Sequence, residues 1–227
     1  MMNSTVLVMS KSRKIVLIGD LIGSRKLSEA ERVESQESLE ECVQRINKRT
    51  ASLLSPATIT LGDEFQAVYS NMKGLLSNCW EIVTGLHPIE VRFSIAIGNI
   101  VTPINQKQAL GMDGPAFHCA RNGMDQLKET DRRFILTIHE DSVSDTQDRD
   151  VILLADGILQ LMSVKMQQWR RTRYQILLML NENIPVKEIS ARLSISETAV
   201  YKNINEGHLE MVLDQEKRIA TAVGRLL

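Results

Sequence analysis

Two aspartates of this sequence stand where apolar runs end, and each follows a glycine. Asp20 follows Gly19 at the end of the first apolar run, and Asp63 follows Gly62 between two later runs. Carboxylates are ligands that Mg²⁺ accepts, usually one or two of them together with phosphate oxygens and water. We therefore predict that Asp20 and Asp63 bind Mg²⁺ at a nucleotide site, if their side chains face one point. For either aspartate alone, the simpler interpretation is a turn residue.

The residues after Asp20 have the composition of a phosphate-binding loop. Backbone amides at the start of a helix bind anions, and Ile22, Gly23 and Ser24 are placed to supply them. Arg25 adds a positive charge next to these amides. We predict that Ile22, Gly23, Ser24 and Arg25 contact the phosphates.

Hydrophobic periodicity predicts the elements that position these residues. Strand patterns cover residues 14–18, 57–61, 65–69, 91–97 and 133–139, and helix patterns cover 28–50, 72–86, 114–128 and 151–166. Ser28 and Glu31 have the spacing of a capping box, while Ser55-Pro56 is expected to interrupt the chain. The order is β-α-β-β-α-β and then α-β, which is the split, ferredoxin-like βαββαβ pattern.

The fold class that follows is α/β (α+β) with a small all-α domain after it. A polar stretch from Glu140 to Asp150 marks the boundary, and everything beyond it reads as helix. We predict an α/β domain over residues 1–145, a connecting helix over 146–166 and a helix-turn-helix domain over 167–227.

Composition limits the classes of function. The 27 basic residues nearly balance the 28 acidic ones, so any contact with DNA depends on a local patch. The three cysteines are widely spaced and lack a C-x-x-C pattern, which indicates reduced thiols. Residues 1–13 lack the features of a signal peptide, and no apolar run is long enough to cross a membrane. A cytoplasmic protein is expected.

Four segments resemble known nucleotide-binding domains. Residues 20–24 (DLIGS) and 61–65 (LGDEF) resemble the two metal-binding segments of class III nucleotide cyclases and of the related GGDEF and polymerase-palm domains. Residues 92–98 (RFSIAIG) and 114–118 (GPAFH) resemble the later strand and helix of that domain. With residues 18–25 (IGDLIGSR) near its start and a helix-turn-helix at its end, the chain is similar to the SatD family over nearly its full length. This resemblance implies a cyclase/palm-type domain that binds a nucleotide with Mg²⁺.

Three positions depart from the catalytic pattern of the cyclases. Where active members have an asparagine and an arginine four residues apart, this chain has His118 and Asn122. Arg121 is one position early, which turns it by about 100° around a helix. Ile59 occupies the region of the base-reading lysine. His118 and Arg121 remain the candidates for a catalytic or nucleotide contact. The alternative for His118 is a partly buried side chain that bonds to backbone, and Asp113 is expected to cap the helix.

Residues 186–202 have the pattern of a helix-turn-helix. Ile189, Leu193, Ile195 and Val200 are expected to fill the angle between its helices, which Ala191 allows to approach closely. Ser196 is expected to cap the second helix. The predicted DNA contacts are major-groove contacts by Glu197, Thr198, Tyr201 and Lys202, and phosphate contacts by Arg170, Arg171 and Arg173.

Together these features predict a cytoplasmic regulator. Its cyclase-like domain binds a nucleotide and Mg²⁺ and changes the DNA affinity of the helix-turn-helix, and a homodimer is expected because a single such motif rarely binds DNA specifically. Two alternatives remain open for the first domain: an active nucleotidyl cyclase or oligonucleotide-forming enzyme that uses Asp20 and Asp63, and a dimerisation domain without a ligand. For the last helices, the alternative is a three-helix unit that binds protein.

Overall fold

The computed structural model describes residues 13–60, 62–143 and 145–227. The expectation that residues 1–12 lack a signal peptide, and the place of Leu61 in the predicted hairpin, lie outside the described residues. No helix in the described ranges is long and apolar enough to span a membrane.

Five strands form one mixed sheet with the order β2-β3-β1-β4-β5. The strands are β1 (Lys14–Leu21), β2 (Leu53–Ile59), β3 (Glu64–Tyr69), β4 (Val91–Gly98) and β5 (Phe134–Ile138). Strand β1 pairs antiparallel with β3 and with β4, whereas β4 and β5 are parallel. The central strand β1 therefore lies between β3 and β4, and β2 and β5 are the edge strands.

Helices cover both faces of the sheet and make up most of the C-terminal part of the chain. They are α1 (Glu29–Arg49), α2 (Leu75–Leu86), α3 (Pro115–Lys128), α4 (Thr146–Met166), α5 (Arg171–Asn181), α6 (Val186–Leu193), α7 (Glu197–Gly207) and α8 (Leu209–Gly224). The mixed α/β prediction, with βαββαβ order followed by helices, is confirmed.

The alternation of side chains along β1 separates the two faces of the sheet. Val16 and Ile18 pack in the smaller apolar cluster with α3, whereas Ile15 and Leu17 belong to the larger cluster on the other face. Asp20 continues the alternation of Val16 and Ile18, so it faces α3.

Helix α1 begins as the sequence predicts. Ser28 is its N-cap, and its hydroxyl accepts from the Glu31 amide while the Glu31 carboxylate accepts from the Ser28 amide at 2.9 Å. The apolar face of the helix, with Leu39, Cys42, Val43 and Ile46, is buried, whereas Val33 is 54% exposed. Val33 lies in the first turns of the helix, before α1 reaches the sheet.

Three boundaries differ from the sequence prediction. Strand β1 continues to Leu21, so Asp20 lies inside the strand and not after it. Ser55-Pro56 does not break the chain, because β2 is an edge strand whose irregular register accommodates a proline without an N–H. Helix α2 begins at Leu75 and not at Met72, since Gly74 before it is left-handed at φ 78°.

The C-terminal helices pack directly on the α/β part. One continuous apolar cluster includes the sheet face, α2 and the inner faces of α5 and α8. The indole N–H of Trp80 on α2 donates to the Glu216 carboxyl on α8. Helix α4 contacts both β5 and α8.

Helices α6 and α7 are joined by the three residues 194–196. Ile189 and Val200 are fully buried between neighbouring helices, and Leu193 and Ile195 are partly buried beside them. The Ser196 hydroxyl accepts from the Ala199 amide and caps α7 as predicted. The close approach expected at Ala191 is wrong, since this residue is exposed.

Candidate functional site

Asp20 lies in the middle of a charged network at the end of β1. It pairs with Glu64 on β3 and with Arg92 on β4, so the three side chains lie on the same face of the sheet. Directly paired residues on adjacent strands hold their side chains within contact of each other. The residue before Asp20 has to be glycine, because a side chain at position 19 would collide with the Phe65 ring.

Two cations neutralise Asp20. Its Oδ2 is 3.6 Å from Arg92 Nη1, and its Oδ1 is 3.3 Å from Lys128 Nζ at the end of α3. Burial raises the pKa of the Asp20 carboxyl, and the charge of Lys128 opposes this effect. The negative charge of Asp63 also raises the pKa of Asp20, so the two aspartates are electrostatic neighbours.

Arg121 closes the other side of this network. Its guanidinium donates to Glu64 Oε2 at 2.6 Å, and the Thr60 hydroxyl donates to the other Glu64 oxygen at 3.1 Å. Glu64 is buried, so the arginine compensates a carboxylate that has little contact with water. The Arg121 guanidinium is therefore already paired with a carboxylate of the protein.

Asp63 occupies the turn between β2 and β3 and faces the α1 side of the sheet. Its Oδ2 accepts from the Ser24 hydroxyl at 2.5 Å, and the preceding Gly62 has the left-handed φ of 67° that the turn requires. Asp63 and Ser24 line a cavity of about 220 Å³. The cavity walls also include Arg25 and, from α1, Arg32, Ser35 and Gln36.

The predicted phosphate loop is a turn that leads into a single 3-10 turn, Ser24–Lys26. Gly23 is left-handed at φ 76°, and it is followed by the hydroxyl of Ser24 and the side chain of Arg25, which both reach the cavity. The Ile22 amide donates to the Glu90 carbonyl at 2.8 Å and is not available to an anion. Of the four loop residues, Ser24 and Arg25 line the cavity.

The side chains of Asp20 and Asp63 do not face one common point in this structure. Asp20 faces α3 and already has two cations within 3.6 Å, which would repel a metal ion. Asp63 faces α1 and is held by Ser24. Among the described residues, no group of three or more His, Cys, Asp or Glu side chains is arranged around a common point for a metal.

His118 is exposed at the N-terminal end of α3. Its Nε2 lies 2.8 Å from an Asp113 carboxylate oxygen, and the same oxygen accepts from the Gly114 amide. The partly buried, backbone-bonded histidine considered from the sequence is therefore wrong. Asp113 lies one residue before the N-cap Gly114, so it acts on the helix start without being the cap residue.

The side chains predicted to contact DNA are mostly exposed. Tyr201 is 52% exposed, and Glu197, Thr198 and Lys202 are also at the surface of α7. Arg173 differs, because its guanidinium donates to Asn203 and Glu206 of α7 and is only 20% exposed. The remaining two predicted phosphate contacts, Arg170 and Arg171, are exposed.

Three residues of the site were not predicted from the sequence. Arg92 and Lys128 pair with Asp20, and Arg32 lines the cavity of Asp63. Arg32 follows Ser28 by one helical turn, so its position near the loop was readable from the helix period. No local sequence pattern predicts that Arg92 and Lys128 lie near Asp20, because these contacts depend on strand pairing and on the placement of α3.

Comparisons with known proteins identify a family and two partly similar structures. The SatD family model matches residues 14–223. A structure of a bacterial light-regulated adenylyl cyclase aligns with a TM-score of 0.43 and 17% identity, over 55% of this chain and 75% of that one. A second structure of such a cyclase aligns with a TM-score of 0.41 and 17% identity, over 55% of this chain and 42% of that one. No curated protein matches the sequence.

Proposed function

This chain belongs to the SatD family, and we propose that it is a cytoplasmic regulator that binds a nucleotide through the phosphates and responds in its C-terminal helices. The phosphates lie in the cavity of Ser24, Arg25, Arg32 and Asp63. The observation that carries this proposal is that Arg25 and Arg32, two arginines without a carboxylate partner among the described residues, line a cavity that also contains hydroxyl and amide groups.

Arg25 and Arg32 differ from the arginines of the neighbouring network. Arg92 and Arg121 each have a carboxylate partner, whereas neither Arg25 nor Arg32 forms an ion pair with any residue in the described ranges. Guanidinium groups form strong, often bidentate hydrogen bonds with phosphate oxygens. The amide of Gln36 adds a neutral donor in the same cavity, whereas the Ser24 hydroxyl donates to Asp63 and the Ser35 hydroxyl to the Arg32 carbonyl.

We propose that the nucleotide is bound and not converted, because the candidate catalytic side chains already contact other protein groups. Arg121 donates to the Glu64 carboxylate, and the His118 ring contacts the Asp113 carboxylate. Neither side chain is therefore oriented toward a substrate. Asn122 is exposed on α3. Mg²⁺ remains a prediction that the binding measurement tests, and no step of the proposal depends on it.

The proposed output is DNA binding by α6 and α7. Ser196 caps α7, and the exposed residues Thr198, Tyr201 and Lys202 lie within its first two turns. The first turns of a recognition helix are the part that contacts base edges in the major groove. A nucleotide at α1 can affect these helices because α2, which packs on α1, also contacts α5.

A homodimer is part of the proposal. Helix α4 exposes an apolar stripe of Leu153, Leu154, Leu161 and Val164, each at least 61% exposed. Gly157 lies between them with open space where a side chain would be, so a second helix has room to approach closely. A contiguous apolar surface of this kind is typical of a protein interface.

Titration calorimetry of the full chain with each nucleoside triphosphate, in Mg²⁺ and in EDTA, tests nucleotide binding. We expect saturable binding of at least one nucleotide, weakened at least tenfold by Arg25→Gln with Arg32→Gln, because charge-assisted hydrogen bonds are lost. Arg225→Gln is the matched control at a distant exposed arginine. Absence of heat for every nucleotide, or equal affinity of the double variant, contradicts the proposal. Release of pyrophosphate that depends on Asp20 and Asp63 would support the enzyme instead.

A gel-shift assay with genomic fragments tests the C-terminal helices. We expect Lys202→Ala to weaken a specific complex about tenfold, since a base or phosphate contact contributes about that much. Lys73→Ala, which removes an exposed lysine from the turn before α2, should leave it unchanged. If no fragment is shifted, with or without a bound nucleotide, α6 and α7 serve another role.

A further inference from the structure

A second cavity, of about 170 Å³, lies between the α/β part and the C-terminal helices. Its walls come from α2 and the turn before β4, from β5, and from the end of α4 with the connector 167–170. It shares no lining residue with the cavity of Asp63.

Aromatic side chains are concentrated around this cavity. Only 4% of the residues in the chain are aromatic, yet both tryptophans line this one space. The ring residues in the wall are Trp80, His87, Phe134, Trp169 and Tyr174. Rings arranged around an open volume offer faces and edges to a planar molecule.

Two buried donors in the wall have no acceptor within the part of the chain that the structure describes. Trp169 is 3% exposed, and its indole N–H has no hydrogen-bond partner among the described residues. The Nε–H of Arg133 is also buried without a partner, although its terminal nitrogens donate to the Asp131 carbonyl and the Glu90 carboxylate. Trp80, in contrast, donates to Glu216. Buried donors in native proteins are nearly always satisfied, so an acceptor is expected in this space.

We propose that this cavity binds a small planar ring compound that carries a carbonyl oxygen, and that this oxygen accepts from the indole N–H of Trp169. A dry cavity of about 150 Å³ holds benzene, so the present volume accommodates one ring with a small polar substituent. The carbonyl belongs either to a neutral amide or to a carboxylate, and Arg133 can donate to both. Trp169 lies in the connector to α5, so the compound contacts both parts of the molecule.

Nuclear magnetic resonance of the full chain, with ¹⁵N in the tryptophan side chains, tests this proposal. The two indole N–H resonances report on the cavity directly, and the probes are benzamide, benzoate and toluene. We expect saturable shifts, with benzamide or benzoate binding about fivefold more tightly than toluene, the contribution of one net hydrogen bond. Benzamide and benzoate separate the neutral from the charged form of the carbonyl group.

Trp169→Phe keeps a ring in the wall and removes the donor. Followed through the Trp80 resonance, this variant should bind the better carbonyl probe about fivefold more weakly and toluene unchanged. Gln168→Ala, in the same connector but outside the wall, should bind all probes as the parent does.

Three results would overturn the proposal. They are shifts that never saturate with any probe, a carbonyl preference that persists in Trp169→Phe, and transfer of magnetisation from water to the Trp169 N–H that persists at the highest probe concentration. The last result would identify ordered water as the acceptor. The comparison of toluene with benzamide decides the matter in the parent protein even if Trp169→Phe does not fold.

Discussion

At the scale of single residues, Asp20 shows how environment determines the role of a carboxylate. Its position at the end of β1 agrees with a ligand site, but Arg92 and Lys128 already satisfy its oxygens. Burial raises its pKa, which means that the charged form depends on these cations. The adjacent cavity, where Arg25 and Arg32 lack carboxylate partners, is the better place for an external anion.

Glu216 is a second carboxylate whose protonation is changed by its surroundings. It is buried on α8 and accepts the indole N–H of Trp80. Burial raises its pKa from 4.5 to about 7, while the Trp80 hydrogen bond and the charge of Lys217 oppose the rise. Between these two pH values the folded chain holds a proton that the unfolded chain releases.

We predict that stability falls as the pH rises from about 4.5 to about 7, because the folded state binds more protons in that window. Glu216→Gln keeps an acceptor for Trp80 and does not titrate, so it should remove this fall and stabilise the chain at pH 8 by up to about 3 kcal/mol. Urea unfolding at pH 5, 6, 7 and 8 measures the effect. Glu210→Gln, at an exposed position of the same helix, should retain the slope of the parent; a parent-like slope in Glu216→Gln would rule out the assignment.

At the scale of elements, short-range chemistry explains where α1 begins. Ser28 and Glu31 exchange hydrogen bonds across the first turn, and the acidic residues Glu29 and Glu31 lie at the positive end of the helix dipole. The proposed phosphate cavity is lined by Ser24 and Arg25 of the adjacent loop and by Arg32 of α1. The start of α1 therefore affects the geometry of the cavity.

We predict that Ser28→Ala destabilises the chain by about 1 kcal/mol, because the Glu31 amide loses its acceptor. The same variant should weaken nucleotide binding by a smaller factor than loss of Arg32, since it moves the cavity wall without removing a donor. Ser28→Asp, which retains an acceptor, should behave like the parent. Thermal unfolding measures the stability, and equal melting temperatures for all three proteins would refute the capping argument.

Helix α4 has a different property, since it buries one face and leaves an apolar stripe on the other. We predict that Leu154→Glu with Leu161→Glu converts a dimer to a monomer, because each chain would then have to desolvate two charges at the interface. Light scattering after size-exclusion chromatography measures the mass. Val101→Glu, a change at an apolar loop residue that is 59% exposed, is the control. A parent protein that is already monomeric would exclude this dimer.

At the scale of the whole molecule, the α/β part and the C-terminal helices share one apolar core. Ile176 and Leu177 of α5 are fully buried in the same cluster as Leu75 and Cys79 of α2. Two parts that share a core are expected to unfold together. This packing is the physical basis for a response of α6 and α7 to a ligand bound near α1.

We predict one cooperative unfolding transition and a loss of 2–5 kcal/mol on Leu177→Ala, the usual range of cost for a buried leucine. Far-ultraviolet circular dichroism follows the helices, and tryptophan fluorescence follows the junction, so the two transitions should coincide. Met211→Ala, at an apolar residue of α8 that is 56% exposed and outside the α4 stripe, should cost less than about 0.5 kcal/mol. Two separate transitions would indicate independent domains and would weaken the proposed coupling.

The sequence by itself determined the order of elements and most of their limits. Periodicity and capping act over a few residues, so the strand at 14–18, the helix that Ser28 caps and the helix that Ser196 caps were all readable locally. The same local rules identified Asp63, Ser24 and Arg25 as neighbours of a turn, and the structure brings these three together at one cavity.

Only the tertiary structure decided which charges meet. Arg92 reaches Asp20 through the register of β1 and β4, Lys128 reaches it from the end of α3, and Arg121 turns to Glu64. The partners in each pair are far apart in the chain, so no local pattern encodes their contact. The same is true of the junction cavity, where Trp80 and Trp169 lie in one wall because α2 and the connector to α5 pack together.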